Sequence, residues 1–231
     1  MKNLVASLLL ISVSAFAEKP KTMVTFPQEA WYNIHDGAKK IGYLFSRFEW
    51  TDSSQTKVRY SSTLIRKTEG VWFEEQLQEV VMADLKPLSL RYRQASNGGE
   101  KFISIDISGG KASSEKKESG KVEKKTFDIP EGGVFGSFVN FSFLSLKAQM
   151  KPTQEYSILV LDEGDFTLKD CGLSLINALE FGLNCASQKG VFKVNASGLI
   201  ETQTVPGTQL MIKKTDMKSA QKGFPKPGER K

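Results

Sequence analysis

The sequence predicts a mainly β protein, an antiparallel meander that is interrupted by one short helix. Three observations predict this class. Short runs with an apolar residue at every second position recur along the chain, and turn-forming residues separate them. Only the segment 134–150 instead carries apolar residues at a spacing of three. With 39% hydrophobic and 25% charged residues, the 231-residue chain also has globular proportions.

The strands before residue 109 show the alternation most clearly. In residues 88–93, Leu, Leu and Tyr alternate with Ser, Arg and Arg. Similar β-rich runs cover 41–50, 57–67 and 71–81, and Asn97-Gly98 is a strong hairpin signal. Because the connections are short and carry no helical pattern, we expect consecutive strands to pair antiparallel.

Residues 109–125 consist mostly of Gly, Ser, Lys and Glu, and Val122 is their only sizeable apolar residue. A mixed Glu/Lys run of this kind indicates a long solvated hairpin with a mobile tip. The alternative is a basic arm that binds an anionic partner.

The Phe-rich segment that follows a Pro/Gly break predicts the short helix. Phe135, Phe138, Phe141 and Leu144 recur at spacings of three, and Phe143 lies on an adjoining face. These five residues are candidates for a ligand pocket or its gate, since aromatic side chains line sites for apolar ligands. The alternative is that they form the hydrophobic core of the sheet.

Strands resume after Pro152 and continue almost to the end of the chain. We expect them over 155–161, 166–169, 174–181, 191–195, 199–204 and 208–214. No Pro/Gly-rich linker divides the series, so residues 30–214 are predicted to form a single antiparallel β-domain after a leader segment, 18–29. Residues 215–231 lack apolar periodicity and are predicted to be a disordered basic tail.

The first 17 residues have the pattern of an export signal. A Lys at position 2 precedes the apolar run Leu4–Phe16, and Ala15-Phe16-Ala17 is the small-x-small pattern of a cleavage site. We therefore expect residues 1–17 to be removed and the mature chain to start at Glu18. The expected location is the periplasm, with the extracellular space as the alternative, and no transmembrane segment is expected in the mature chain.

Export gives the two cysteines, Cys171 and Cys185, a specific interpretation. An oxidising compartment favours a disulfide between them. The alternative is a pair of buried free thiols. Their spacing is not that of a Cys-x-x-Cys redox motif.

The sequence offers little chemistry for catalysis. His35 is the only histidine, and it precedes a predicted turn at Asp36-Gly37. The chain contains no Gly-x-Ser-x-Gly elbow, phosphate-binding loop or His-Glu-x-x-His zinc motif. We therefore expect no enzyme activity, no cofactor, no metal and no nucleic-acid partner.

Several turns, taken in order, resemble those of exported bacterial β-proteins of unknown function, and more distantly those of LolA/LolB-type lipoprotein carriers. They are Ile41-Gly42-Tyr43, the segment 84–88 that opens the fourth strand, the Pro-Glu-Gly-Gly break at 130–133, and the late turns 194–199 and 205–208. The resemblance implies a single curved antiparallel sheet or half-barrel meander that partly encloses an apolar space, with the short helix across its opening.

These features favour a non-enzymatic periplasmic binding protein or carrier for an apolar or amphipathic envelope ligand. The alternative is a structural or interaction protein of the cell envelope with a filled core and no small ligand. The expected partners are a lipid-like ligand or an envelope protein. An anionic membrane surface is a further candidate, because several predicted strands carry basic side chains. These are Arg59, Arg66, Lys67, Arg91 and Arg93.

Overall fold

The computed structural model describes residues 25–129, 131–152, 154–162, 167–185 and 188–229. Within them, fifteen strands form one sheet, and neighbouring strands are antiparallel except β9, which is parallel to β10. The strands are β1 (Gln28–Asp36), β2 (Lys39–Trp50), β3 (Lys57–Thr68), β4 (Val71–Met82), β5 (Pro87–Ser96), β6 (Gly99–Ser108), β7 (Lys111–Glu118), β8 (Lys121–Asp128), β9 (Gly133–Phe135), β10 (Glu155–Asp162), β11 (Thr167–Asn177), β12 (Glu180–Cys185), β13 (Gln188–Val194), β14 (Ile200–Thr204) and β15 (Leu210–Thr215). The helices are α1 (Val139–Leu146), which follows a 3-10 turn over Gly136–Phe138, and α2 (Met217–Gln221).

The strand order requires the sheet to be strongly curved. The order is β8 to β1, then β15 down to β9, so that β8 and β9 are the two edge strands. A flat sheet of fifteen strands would be about 67 Å wide at about 4.8 Å per spacing. Yet only residues 129–132 connect the two edges, and a chain of that length spans at most about 18 Å. The edges must therefore come close together at this point, without pairing into a closed barrel.

The curved sheet has an inner face that packs around α1 and an outer face. Alternate residues of β1–β7 turn inward and form one apolar cluster with Phe135, Phe138 and Phe141. Inward residues of β10–β13 form a second cluster with Val139 and Phe143. Helix α1 thus lies between two apolar walls, which explains why its first five residues, 139–143, are all buried.

The turn before β14 fixes the position of α1. The side chain of Asn140 donates a 2.5 Å hydrogen bond to the backbone oxygen of Gly198. Gly198 has a φ of +88°, and a Cβ at this position would lie only 2.8–2.9 Å from the side chains of Phe141 and Leu144. Glycine therefore permits both the turn and the close approach of the helix.

The fold class predicted from the sequence, a curved antiparallel sheet with a short helix against it, is confirmed. Two local predictions need correction. Strand β1 begins at Gln28, inside the predicted leader 18–29. A single strand, β11, replaces the predicted strands 166–169 and 174–181, because the turn falls at Ala178-Leu179. The hairpin predicted for the charged segment 109–125 is confirmed, since β7 pairs with β8.

The predicted disordered tail is the largest error. Residues 215–229 are ordered against the outer face of β1–β4: β15 continues to Thr215, and α2 follows with the buried residue Ala220. We call residues 216–229 the strap. The predicted signal peptide, residues 1–17, lies outside the described residues, as do Arg230 and Lys231. Among the described helices, none is long and apolar enough to cross a membrane.

Candidate binding surface

The five residues predicted to form a pocket or gate lie in the packed interior. Phe135, Phe138 and Phe143 are fully buried, Phe141 is nearly so, and Leu144 is half-buried. Phe138 and Phe141 both pack edge-to-face against Phe48 of β2, at centroid distances of 5.6 and 4.9 Å. Phe143 instead stacks on Phe181 of β12 at 4.6 Å. The segment therefore joins both apolar clusters, as expected of core rather than of a gate.

The interior contains a cavity of about 60 Å³ beside α1. Polar groups of Tyr32, Ser46, Tyr60, Ser137 and Asn140 take part in its lining. This space has room for a few water molecules. It is well below the roughly 300 Å³ at which small-molecule pockets begin.

Two buried tyrosines that line this cavity, Tyr32 and Tyr60, have raised pKa values. Burial raises the pKa of Tyr32 to about 12, although a hydrogen bond from Ser46 opposes the shift. Burial also raises the pKa of Tyr60, and the charge of Glu79, a fully buried residue opposite it on β4, adds to the effect. Both phenols are protonated at neutral pH, so neither supplies a nucleophile there.

The predicted disulfide is present. Cys171 of β11 and Cys185 of β12 are directly opposite each other, with Cα atoms 4.3 Å apart. Both are buried in the second apolar cluster. The bond therefore joins two adjacent strands inside the core and stands apart from the surface grooves described below.

Side-chain donors of the sheet hold the strap in place. The ammonium group of Lys40 donates to the backbone oxygens of Ser219, Ala220 and Lys222 at 2.7, 2.5 and 3.3 Å. The hydroxyl of Tyr43 donates to the backbone oxygen of Pro225 at 3.0 Å. Partial burial and the nearby charge of Lys222 lower the pKa of Lys40.

Apolar contacts complete the attachment of the strap. Ala220 is fully buried against a cluster that includes Tyr43 and Ile65. The ring of Phe224 packs edge-to-face against Tyr43 and Trp72, with centroid distances of 6.3 and 5.6 Å. Farther along, the backbone N–H of Gly228 donates to Glu74 at 3.4 Å.

An open groove of about 500 Å³ runs between the strap and the β5–β6 turn. We call it the strap groove. Its lining is mainly apolar, with acidic, basic and amide groups at its margins. The lining residues are Ile65, Trp72, Phe73, Glu74, Asn97, Pro225, Lys226 and Glu229.

The sequence does not predict this surface, because its residues are far apart in the chain. Two local signals were nevertheless present. Phe224-Pro225 is an aromatic–proline pair in an otherwise polar tail, and Asp216 precedes Ser219 at the spacing of a helix cap. Asp216 does cap α2, accepting a 2.9 Å bond from the N–H of Ser219.

A second groove, of about 650 Å³, crosses the outer face of β3–β7. Its floor is polar and consists largely of two cross-strand rows of residues: Ser61, Gln78, Arg91, Ser104 and Glu115, and Thr63, Gln76, Arg93, Phe102 and Lys117.

The predicted basic strand faces are largely neutralised by acidic neighbours. Arg91 pairs with Asp106, and Arg93 pairs with Glu100. Arg59 contacts Glu49 at 3.6 Å, and Arg66 contacts Glu75 at 3.1 Å. Lys67 lies over the ring of Trp72 instead, 5.1 Å from its centroid. These pairs weaken the case for a strongly basic membrane-binding face.

Comparison with known proteins gives the fold alone. No family model matches the chain, and no curated protein matches it. It is similar in structure to a β-barrel-like protein of a domain of unknown function, DUF1849, from Brucella abortus. The TM-score is 0.58 at 10% identity, over 83% of this chain and 96% of that one. A DUF1089 family protein from Pseudomonas aeruginosa matches with a TM-score of 0.47 at 15% identity, over 71% of this chain and 90% of that one.

The similarity to the DUF1849 protein agrees with the predicted likeness to β-proteins of unknown function. The more distant likeness to LolA/LolB-type carriers stays a prediction.

Proposed function

We propose that this protein is a non-enzymatic, exported interaction protein of the cell envelope, whose interior is a filled scaffold and whose binding site is the strap groove. One observation carries the proposal. The cavity beside α1 has a volume of about 60 Å³, whereas the strap groove on the outer face has a volume of about 500 Å³. The strap groove has the size of a ligand site and the inner cavity does not, while the second outer groove, of about 650 Å³, has a polar floor.

The lining of the strap groove suits an amphipathic partner. Trp72, Phe73 and Pro225 offer apolar surface, while Asn97 and Lys226 offer hydrogen-bond donors. Aromatic side chains with polar groups at the margin are characteristic of protein interaction sites. The proposal therefore retains an amphipathic binding partner but moves its site from the interior to the outer face.

A carrier that holds a lipid-like ligand inside the sheet is disfavoured by the packing around α1. An acyl chain would have to displace Phe138 and Phe141 from their contacts with Phe48. Since buried aromatic residues contribute several kcal/mol each, this opening would be costly. Export itself is supported by the apolar N-terminal run, and the disulfide is compatible with it.

Site-specific photo-crosslinking in cells tests the proposal. A photoreactive amino acid at position 97, in the strap groove, should give one discrete crosslinked envelope partner. The matched control is position 193 on β13, an exposed residue remote from the strap groove in the order of strands, which should give none. In parallel, a fluorescent fatty acid should show no saturable binding to the purified protein. Equal crosslinking from both positions, or stoichiometric fatty-acid binding, would contradict the proposal.

A further inference from the structure

We propose that the strap is an intramolecular peptide ligand, and that the surface beneath it recognises a matching segment of another envelope protein. The strap-binding surface consists of Lys40, Tyr43, Ile65 and Trp72. Its partner is a peptide that places a small residue in a short helical turn and Phe-Pro four positions later, as the strap does. This inference rests on the proposed function and extends its site to the surface that the strap covers, which shares Ile65 and Trp72 with the strap groove.

The polar contacts of the strap are those of a bound peptide rather than of a sixteenth strand. The sheet holds it through side-chain donors, since Lys40 and Tyr43 bind four of its backbone oxygens. Recognition of this kind reads the path of a polypeptide backbone, which any chain of the same conformation offers.

Two apolar contacts add sequence selectivity. The side chain of Ala220 is fully buried, so that a larger residue at this position would have to displace its neighbours. Four positions later, Phe224 is held by Tyr43 and Trp72, and the ammonium group of Lys40 lies 5.0 Å from the centroid of its ring. Pro225 then supplies the carbonyl for Tyr43. A small residue and a Phe-Pro pair at this spacing define the expected motif.

The geometry allows the strap to be exchanged. Much of the strap is exposed, including Met217 with 54% of its surface accessible. Its release would leave the β1–β15 and β1–β2 ladders intact, because those pairings do not include residues 216–229. The strap groove already exposes part of Trp72 beside the strap. An incoming peptide can therefore contact this aromatic ring before the strap leaves.

A peptide of a different protein suits the surface better than a second copy of this chain. A small apolar ligand would not supply the series of backbone oxygens that Lys40 and Tyr43 bind. A second copy offers the same segment, but its strap is already held in cis at an effective concentration in the millimolar range. Reciprocal exchange between two copies therefore requires two straps to be released, whereas a free segment of another protein requires the release of only one.

Peptide binding to the full-length chain tests the inference. The probe is a fluorescein-labelled synthetic peptide with the sequence of residues 216–229, and binding is followed by anisotropy. Phe224→Ala weakens the attached strap but leaves the surface intact, so this variant should bind the probe. The wild type should bind it at least about tenfold more weakly, as expected if the strap occupies the surface in nine or more molecules of ten. Met217→Ala, an exposed change in the same segment, should behave as the wild type.

Two further measurements make the result decisive. Adding Trp72→Ala to the Phe224→Ala variant should reduce probe binding at least tenfold, with an unchanged far-UV CD spectrum. A probe carrying Ala in place of its Phe should bind neither protein. Three results would overturn the inference. The Phe224→Ala variant could bind no probe although trypsin cleaves its strap faster than that of the wild type. It could also bind the probe no better than the wild type does, or form dimers that exclude the probe. Loss of probe binding alongside specific crosslinking at position 97 would reject this inference and leave the proposed function standing.

Discussion

The ring of Phe224 meets the indole of Trp72 edge-to-face, with centroids 5.6 Å apart and planes at 89°. Such a pair contributes about 0.5–1.5 kcal/mol beyond the apolar area that it buries. The two residues are far apart in the chain, so this contact ties the C-terminal strap to the beginning of β4. Trp72 also lines the strap groove, and so does Pro225, the residue after Phe224, which links the stability of the strap to the proposed binding surface.

The Phe224→Ala variant is expected to loosen the strap without unfolding the sheet. Loss of the contacts with Tyr43 and Trp72 should lower the free energy of strap attachment by about 1–2 kcal/mol, a typical cost for a half-buried aromatic residue. Trypsin should then cleave after Lys218 and Lys222 about five- to thirtyfold faster than in the wild type. Mass spectrometry of a timed digest measures the rates.

The control for this experiment is Met217→Ala. Met217 lies on the same segment, but 54% of its surface is exposed, so cleavage rates should stay within about twofold of the wild type. Equal acceleration in both variants would indicate general fraying of the C-terminus, and the Phe224–Trp72 contact would then have no special role.

Acid should weaken the cap of α2. The side chain of Asp216 accepts hydrogen bonds from the hydroxyl and the N–H of Ser219, and these bonds lower the pKa of the carboxyl. Because the pKa in the folded chain is below the unfolded value of about 3.9, the stabilisation is present above that value and is lost as pH falls through the lower, folded pKa. The Ser219 amide resonance should therefore be constant from pH 5 to 8 and should shift below about pH 4.

Asp216→Asn provides the comparison, because its side chain keeps a hydrogen-bond acceptor but cannot titrate. The acid-dependent shift of the Ser219 amide should disappear in this variant. A shift of the same size in both proteins would assign the change to another acid group.

The disulfide should protect both cysteines from alkylation. Unfolded, unreduced protein should take up no iodoacetamide at Cys171 or Cys185, and reduced protein should take up two equivalents. In the chain-entropy model, a bond across 14 positions contributes about 3 kcal/mol to the free energy of unfolding. Denaturant titration with and without reductant measures this difference. Full labelling of both residues before reduction would mean that the thiols are free in the cell.

Processing is tested by the intact mass of the exported protein. The small-x-small site at Ala15-Phe16-Ala17 predicts a mature chain that starts at Glu18. The expected mass is that of residues 18–231. Replacing Ala17 by a bulky residue such as Leu should block cleavage and leave the precursor. A wild-type chain that retains residues 1–17 would show that the segment is not a removed signal.

The sheet could be predicted from the sequence because strand signals are local. In residues 88–93, apolar and polar side chains alternate with a period of two, and β5 covers them in the structure. Asn97-Gly98 likewise lies at the β5–β6 turn. The strap has no such period. Its order comes from Lys40, Tyr43 and Trp72, which lie far away in the chain, and a local pattern cannot report such partners.

The Phe-rich segment shows a different limit. The short helix is present, and Phe135, Phe138 and Phe141 share one apolar cluster. Only Phe141 lies in α1, because Phe135 ends β9 and Phe138 ends the 3-10 turn. Whether that cluster borders an open cavity or a filled core depends on the curvature of the sheet and on which opposing residues reach it. Phe48 and Tyr60 meet Phe138 from the opposite wall, and the strand order, rather than the period, brings them there.

Substitution of Phe138 distinguishes the filled core from a pocket. Phe138 is fully buried and contacts the rings of Phe48 and Phe141 at 5.6 and 6.1 Å. Replacing it by Ala should therefore lower the free energy of unfolding by about 3–5 kcal/mol, because lost transfer energy and the new cavity both contribute. Urea titration followed by circular dichroism measures the loss.

The matched control is Phe102→Ala on the outer face, where 41% of the residue is exposed. That change should cost no more than about 1 kcal/mol. The wild type should also show no saturable binding of a fluorescent fatty acid, since the cavity beside α1 is only about 60 Å³. If Phe138→Ala instead costs only about 1–2 kcal/mol and abolishes fatty-acid binding that the wild type possesses, Phe138 acts as a gate. The carrier hypothesis would then replace the outer-surface proposal, because a well-packed core residue cannot be truncated at so small a cost.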